Sequence, residues 1–141
     1  MSAMLTCETT GPARQTAVRL PFGLFGFEPI TSYALVSDPE ESPFLWLQML
    51  EAPNHSFLVL PPQVLATDYQ PDLDEDDVAF LGLTNPEDAC LLNIVTLHGN
   101  GRPTVNLKGP IVINRRTGIG KQVIPLNAAS FPLQYPLPAV S

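Results

Sequence analysis

The amino-acid sequence predicts a mainly β, single-domain protein with an antiparallel β-barrel-like fold and one short helix. Short segments rich in β-branched and aromatic residues recur along the chain, separated by turn sequences that contain Gly, Pro and Asn. Sixteen prolines among 141 residues favour short elements and rigid turns, because proline removes a backbone N–H donor. A hydrophobic content of 45% with 15% charged residues is sufficient for one buried core and is not typical of disorder.

Five strands are predicted in the first half of the chain. They span residues 4–8, 15–20, 32–36, 44–50 and 56–60. The first pair flanks Gly11-Pro12 and the last pair flanks Pro53-Asn54, and both dipeptides are typical of turns. Each of these two pairs is therefore expected to form a hairpin.

Residues 20–29, which read LPFGLFGFEP, connect the second predicted strand to the third. Phe22, Leu24, Phe25 and Phe27 supply apolar surface, and the two glycines permit positive φ angles. The pattern leaves two interpretations open. The loop either folds its aromatic rings into the core or presents them as an exposed edge for a protein partner.

One helix is predicted, and it begins in a run of carboxylates. Asp72 followed by Glu75 resembles a capping box, and Gly82 suits the C-terminal cap. Acidic side chains in the first turn are favoured by the helix dipole. The acidic run consists of Asp72, Asp74, Glu75, Asp76 and Asp77.

Neither this run nor the histidines indicate a metal site. An EF-hand-type calcium loop requires glycine where Asp77 stands and a bidentate glutamate where Leu83 stands. His55 and His98 lack a second ligand at zinc-binding spacing. The sequence therefore predicts no metal and no cofactor, and it does not require an enzyme.

The second half of the chain predicts a long strand over residues 89–98, followed by a three-stranded meander over 104–108, 111–114 and 119–124. This last stretch carries four of the seven basic residues, and they are Lys108, Arg115, Arg116 and Lys121. Its GIGKQ sequence is not a phosphate-binding loop. Such a loop requires a glycine at position 115 and a hydroxyl residue where Gln122 stands.

The charges of the chain are separated along the sequence. Residues 20–101 hold thirteen acidic and no basic residues, whereas residues 102–141 hold five basic and no acidic residues, and the net charge is −7. Nucleic-acid affinity depends on basic contacts with phosphates, so direct nucleic-acid binding is disfavoured. An acidic surface is instead suited to a basic protein partner.

The sequence also predicts a compartment. No signal peptide or membrane span is visible, and the two cysteines, Cys7 and Cys90, are expected to be unpaired thiols. A cytoplasmic protein, monomeric when alone, is the expectation. A small-ligand-binding β-barrel, or a minor hydrolase that uses His55 or His98, remains the alternative.

Two sequence blocks resemble the flagellar assembly factor FliW family. The first is LPFGLFGFE at residues 20–28, and the second is VNLKGPIVIN at 105–114, which continues into GKQVI at 120–124. Between them, FLWLQ at 44–48, Asp68-Tyr69 and NPED at 85–88 occur in the order of the family. The similarity covers about residues 16–126 and leaves 127–141 as a proline-rich tail.

The resemblance implies a compact β-barrel-like, cytoplasmic, non-enzymatic protein. It implies binding to newly made flagellin and to the RNA-binding translational regulator CsrA, so that secretion of flagellin frees the factor to relieve CsrA repression. The candidate flagellin contacts are the apolar loop and the meander. The residues singled out in the loop are Phe22, Leu24, Phe25 and Phe27, and those in the meander are Asn114 and Lys121. The five carboxylates of the acidic run are candidates for an electrostatic role against CsrA.

Overall fold

The computed structural model describes residues 14–65, 68–99 and 101–137, so the strand predicted at 4–8 lies outside the described residues. The described chain forms nine strands and one α-helix, α1, at Glu75–Leu81. The strands are β1 (Arg14–Arg19), β2 (Ser32–Ser37), β3 (Leu45–Met49), β4 (Ser56–Leu60), β5 (Ala89–Thr96), β6 (Thr104–Val105), β7 (Ile111–Asn114), β8 (Gly120–Gln122) and β9 (Tyr135–Pro136). The predicted class, mainly β with one short helix, is confirmed.

The strands form one antiparallel sheet in which β5 is the central member. The first five strands pair in chain order from β1 to β5. Along its other edge, β5 pairs with β7 through residues 89–92 and with β6 through Val95 and Thr96. β8 then extends β7, and β9 extends β6.

The predicted meander is wrong in one of its two pairings. β7 and β8 are adjacent, but β6 and β7 lie one after the other along β5 and do not pair. The cause is local, because the Asn106 side chain accepts hydrogen bonds from the backbone N–H groups of Lys108 and Gly109, at 2.9 and 3.0 Å. This turn uses the donors that a longer β6 would need and directs β7 back to β5.

The sheet is not closed into a barrel, which corrects the barrel-like prediction. β1 and β8 are joined by one parallel bridge between Arg19 and Ile119, in which the Arg19 N–H donates to the Gly118 carbonyl at 2.9 Å. β1 ends at this bridge because Pro21 follows closely and cannot donate to a ladder. β8 begins just beyond the bridge, so the two strands meet only at their ends.

Three hydrophobic clusters form the core, and β5 contributes to each. The largest contains Leu92 and lies among β1 to β5 and β7. The second contains Val95 and receives Phe131, Tyr135 and Leu137 from the predicted proline-rich tail. The third lies beneath α1, where Leu91 packs against a cluster formed by Leu81, Val112 and Val123.

Gly120 lies where β8 comes very close to β7. A Cβ at Gly120 would lie 2.8 Å from Ile113 Cγ1 and 2.9 Å from the Val112 carbonyl oxygen, so β8 approaches β7 too closely for a side chain.

Cys90 is buried and disulfide-bonded, so the expectation of two unpaired thiols is wrong.

Within the described residues, no helix is long and apolar enough to cross a membrane.

Candidate functional site

The loop between β1 and β2 divides its apolar side chains between the core and the surface. Gly23 has a φ of +66°, and a Cβ there would lie 2.5 Å from a backbone oxygen, so the tight turn requires glycine. Leu24 is buried and Phe27 packs partly against the first cluster. Phe22 and Phe25 remain 54% and 50% exposed. The loop therefore buries Leu24, which was expected at an exposed edge, and leaves Phe22 and Phe25 exposed. That a partner covers the exposed rings stays a prediction.

The loop is tied to β8 by one buried amide side chain. The Phe25 N–H donates to Gln122 Oε1 at 2.9 Å, and Gln122 Nε2 donates to the Gly109 carbonyl at 3.0 Å. At the end of the loop, the Gly26 N–H donates to the Glu28 carboxylate and lowers the pKa of that group. The exposed rings are thus held on a hydrogen-bonded turn.

Helix α1 begins two residues later than the predicted capping box at Asp72. Asp74 is the N-cap, and its side chain accepts from the Asp76 N–H at 2.9 Å. Asp72 instead uses its backbone, since its N–H donates to Asn127 Oδ1 at 2.8 Å and its carbonyl accepts from the Leu126 N–H. The prediction of Gly82 as the C-cap is confirmed, and Gly82 adopts the left-handed conformation.

Three of the candidate residues meet at one place on the surface. The rings of Phe22 and Phe80 lie 5.0 Å apart between centroids, at an interplanar angle of 49°. The Lys121 ammonium lies 5.3 Å from the first centroid and 5.8 Å from the second, and it donates to Asp77 Oδ1 at 2.5 Å. We call Phe22, Phe80 and the Lys121 side chain the aromatic patch. It joins the β1–β2 loop, α1 and β8.

Of the carboxylates in the acidic run near this patch, only that of Asp77 forms an ion pair within the described residues. Asp77 is 8% exposed and is paired with Lys121. The other ion pair of the described residues joins Arg116 to Asp88. Asp72, Asp74, Glu75 and Asp76 form no ion pair there. Asp76 lies four residues before Phe80, on the same face of α1, so negative charge borders the exposed ring.

Asn114 lies apart from this surface. It is 2% exposed, its Nδ2 donates to the Leu81 carbonyl at 2.8 Å, and its Oδ1 accepts from the Arg116 N–H at 2.8 Å. The side chain fastens the end of β7 to the last turn of α1. The structure therefore gives Asn114 a structural role, and the predicted partner contact stays a prediction.

Phe80 was missed because sequence reasoning treated the helix only through its charges. The buried residues of α1 are Asp77 and Leu81, which lie four residues apart on one stripe. Phe80 is displaced from that stripe and is 40% exposed. The sequence contains the apolar residue, but the stripe that is buried includes the charged Asp77 and is identified only by the structure.

The histidines of the alternative hypothesis contact unrelated neighbours. His55 is exposed, and its ring centroid lies 5.4 Å from that of Phe27 at an interplanar angle of 56°, while His98 Nε2 lies 2.9 Å from Thr104 Oγ1. No group of three or more His, Cys, Asp or Glu side chains within 14–65, 68–99 and 101–137 is arranged to hold a metal ion.

Fold and site together define a class: a mainly β domain whose candidate site is an exposed aromatic surface bordered by carboxylates. The family model described as FliW protein matches residues 6–137, so the chain belongs to the FliW family. This confirms the resemblance drawn from the two sequence blocks.

Individual relatives agree with the family model. The "Flagellar assembly factor FliW" of Leptospira biflexa serovar Patoc is 38% identical over 109 residues, which cover 76% of this chain and 71% of the relative. The protein of the same name from Syntrophus aciditrophicus is 40% identical over 114 residues, covering 80% and 72%. A crystal structure of the flagellar assembly factor FliW aligns with a TM-score of 0.78 at 31% identity, covering 87% of this chain and 86% of that one.

Proposed function

We propose that the chain is a cytoplasmic flagellar assembly factor that binds flagellin and antagonises CsrA by protein–protein binding, without catalysis. The observation that carries this proposal is membership of the FliW family, whose similar relatives are named flagellar assembly factors. The exposed aromatic patch supports it, because large aromatic side chains that remain 54% and 40% exposed are typical of a surface that a partner covers.

The charge distribution supports the antagonism of CsrA. An RNA-binding protein attracts phosphates through basic side chains, and its affinity falls when negative charge is placed beside them. The uncompensated carboxylates of the acidic run would supply that charge within about one Debye length of a docked partner. Antagonism would then not require this chain to occupy the RNA site.

Mixing the purified chain with purified flagellin and, separately, with CsrA tests the proposal by size-exclusion chromatography. Co-elution with each partner at micromolar concentration is expected. If the chain co-elutes with neither protein, the assembly-factor proposal is wrong for it.

The electrostatic part has its own test, in which CsrA binds a labelled RNA in the presence of the chain. The double variant Glu75→Gln/Asp76→Asn removes two exposed carboxylates and preserves the Asp74 cap and the Asp77 ion pair. It should antagonise CsrA less effectively than the wild-type chain. The control Glu40→Gln/Glu87→Gln changes net charge equally at exposed sites elsewhere, and an equal loss in both variants would contradict a local role.

A further inference from the structure

The aromatic patch offers apolar area that no described residue covers. Phe22 and Phe80 are 54% and 40% exposed although their rings contact each other at 5.0 Å. Aromatic side chains of this kind dominate the energy of protein interfaces when they are buried by a partner. The pair is therefore an anchor of the size that a docking side chain can cover.

The patch is also held in place before any partner arrives. Phe22 follows the end of β1 and precedes the Gly23 turn, Phe80 stands on α1, and Lys121 stands on β8. The Lys121 ammonium is fixed by Asp77 and lies over both rings. Because little side-chain freedom remains to be lost, binding at this surface carries a small ordering cost.

The charges around the aromatic patch indicate which kind of molecule can bind there. The one positive charge at the patch is paired with Asp77, whereas Asp76, one turn before Phe80, and the adjacent Glu75 have no ion-pair partner in the described part of the chain. Phosphates and anionic lipid would be repelled by these carboxylates. A second copy of a chain with net charge −7 would be repelled as well.

We propose that the aromatic patch is the surface through which this chain binds its protein partner, and that the partner contributes a cationic amphipathic segment. An apolar side chain of that segment covers Phe22 and Phe80, and its Lys or Arg residues approach Glu75 and Asp76. The assignment deepens the proposed function and rests on it for the identity of the partner. The chemistry of the segment follows from the surface alone.

The first experiment uses a fluorescent 18-residue helical peptide of leucine and lysine, with its apolar residues on one face. Fluorescence anisotropy should show binding that weakens as salt rises, and no binding of the matched leucine–glutamate peptide. Phe22→Ala and Phe80→Ala should each weaken binding about tenfold, since central aromatic anchors lose at least that much on truncation. Leu97→Ala, at a side chain that is 64% exposed elsewhere, is the matched control and should bind as the wild type does.

The second experiment repeats the co-elution with flagellin and CsrA, using the Phe22→Ala/Phe80→Ala variant. Loss of either complex, with an unchanged circular dichroism spectrum, supports the surface. If the wild-type chain binds a partner and the double variant binds equally well, this inference is wrong and the proposed function stands. If the wild-type chain binds neither partner, the proposed function fails, and the peptide experiment decides the inference by whether the two alanine changes weaken binding.

Discussion

Replacing Asn114 separates a structural role from a binding role at a position that the sequence places among candidate partner contacts. In Asn114→Ala, the Leu81 carbonyl loses a donor at 2.8 Å and the Arg116 N–H loses an acceptor at 2.8 Å. Water has little access to the site, because Asn114 is 2% exposed. Both backbone groups would be left without these partners, and α1 would lose this hydrogen bond to β7 while keeping the contact of Leu81 with Val112.

The size of the effect follows from these two bonds. A buried polar group left unsatisfied costs roughly 1–3 kcal/mol. The Leu81 bond is fully buried, whereas the Arg116 bond is partly exposed and regains some hydration, so we expect a total loss of about 2–4 kcal/mol. For a domain of this length each kcal/mol lowers the melting temperature by roughly 3 °C, which gives a fall of about 6–12 °C.

Urea denaturation followed by the fluorescence of Trp46, the one tryptophan, measures this loss. The control is Asn85→Ala, because Asn85 is exposed and makes no capping hydrogen bond with its side chain. The control should change stability by less than about 0.5 kcal/mol. A variant Asn114→Ala as stable as the control, and unable to bind flagellin, would refute the structural assignment.

Three further predictions concern stability. Gly120→Ala should lower the free energy of unfolding, measured in urea, by about 1–3 kcal/mol, because the added methyl group has no room. Gly99→Ala is the control, since a Cβ there would meet no atom within 4 Å, and an equal loss of stability in it would contradict this reason. Tyr33→Phe should raise the free energy of unfolding by about 1 kcal/mol, since it removes a buried hydroxyl without a hydrogen-bond partner. Burial and a nearby glutamate raise the pKa of Tyr33 to about 12, so between its ordinary pKa of 10 and that value the unfolded state releases a proton that the folded state keeps. Stability of the wild type should therefore fall as pH rises through this window, and an identical slope in Tyr33→Phe would exclude Tyr33 as the cause. Lys121→Met should lower the free energy of unfolding by about 1–2 kcal/mol, because the Asp77 carboxylate loses its partner in a largely buried ion pair. Adding Asp77→Asn should recover part of that free energy, and purely additive losses in the double variant would contradict the coupling.

Local patterns predicted the individual elements well. β4 and β7 have the predicted bounds, and the other described strands that were predicted differ from their predictions at one end or both. The Gly82 cap was also predictable, because a left-handed residue after a helix is usually glycine. These features depend on neighbours in the sequence, which is why turn chemistry and alternation were sufficient.

Pairing and side-chain placement depended on groups that are distant in the sequence. The end-to-end arrangement of β6 and β7 follows from the Asn106 turn, and the spacing of apolar residues does not encode it. The assembly of Phe22 with Lys121 brings together residues about a hundred positions apart. The sequence identified both as candidates but contained nothing that placed them in one patch, and Phe80 was absent from the candidates.

The central position of β5 has a consequence for how the molecule opens. One strand hydrogen-bonds to three others and supplies side chains to all three hydrophobic clusters, so β5 itself cannot be exposed by peeling away an edge of the sheet. Amide hydrogens of β5 should therefore exchange with solvent only through global unfolding, whereas those of β1 and β9, at the ends of the strand order, should exchange through smaller fluctuations. A partner that seats on the aromatic patch would then slow exchange in the β1–β2 loop and α1 while leaving β5 at the limit already set by the stability of the whole domain.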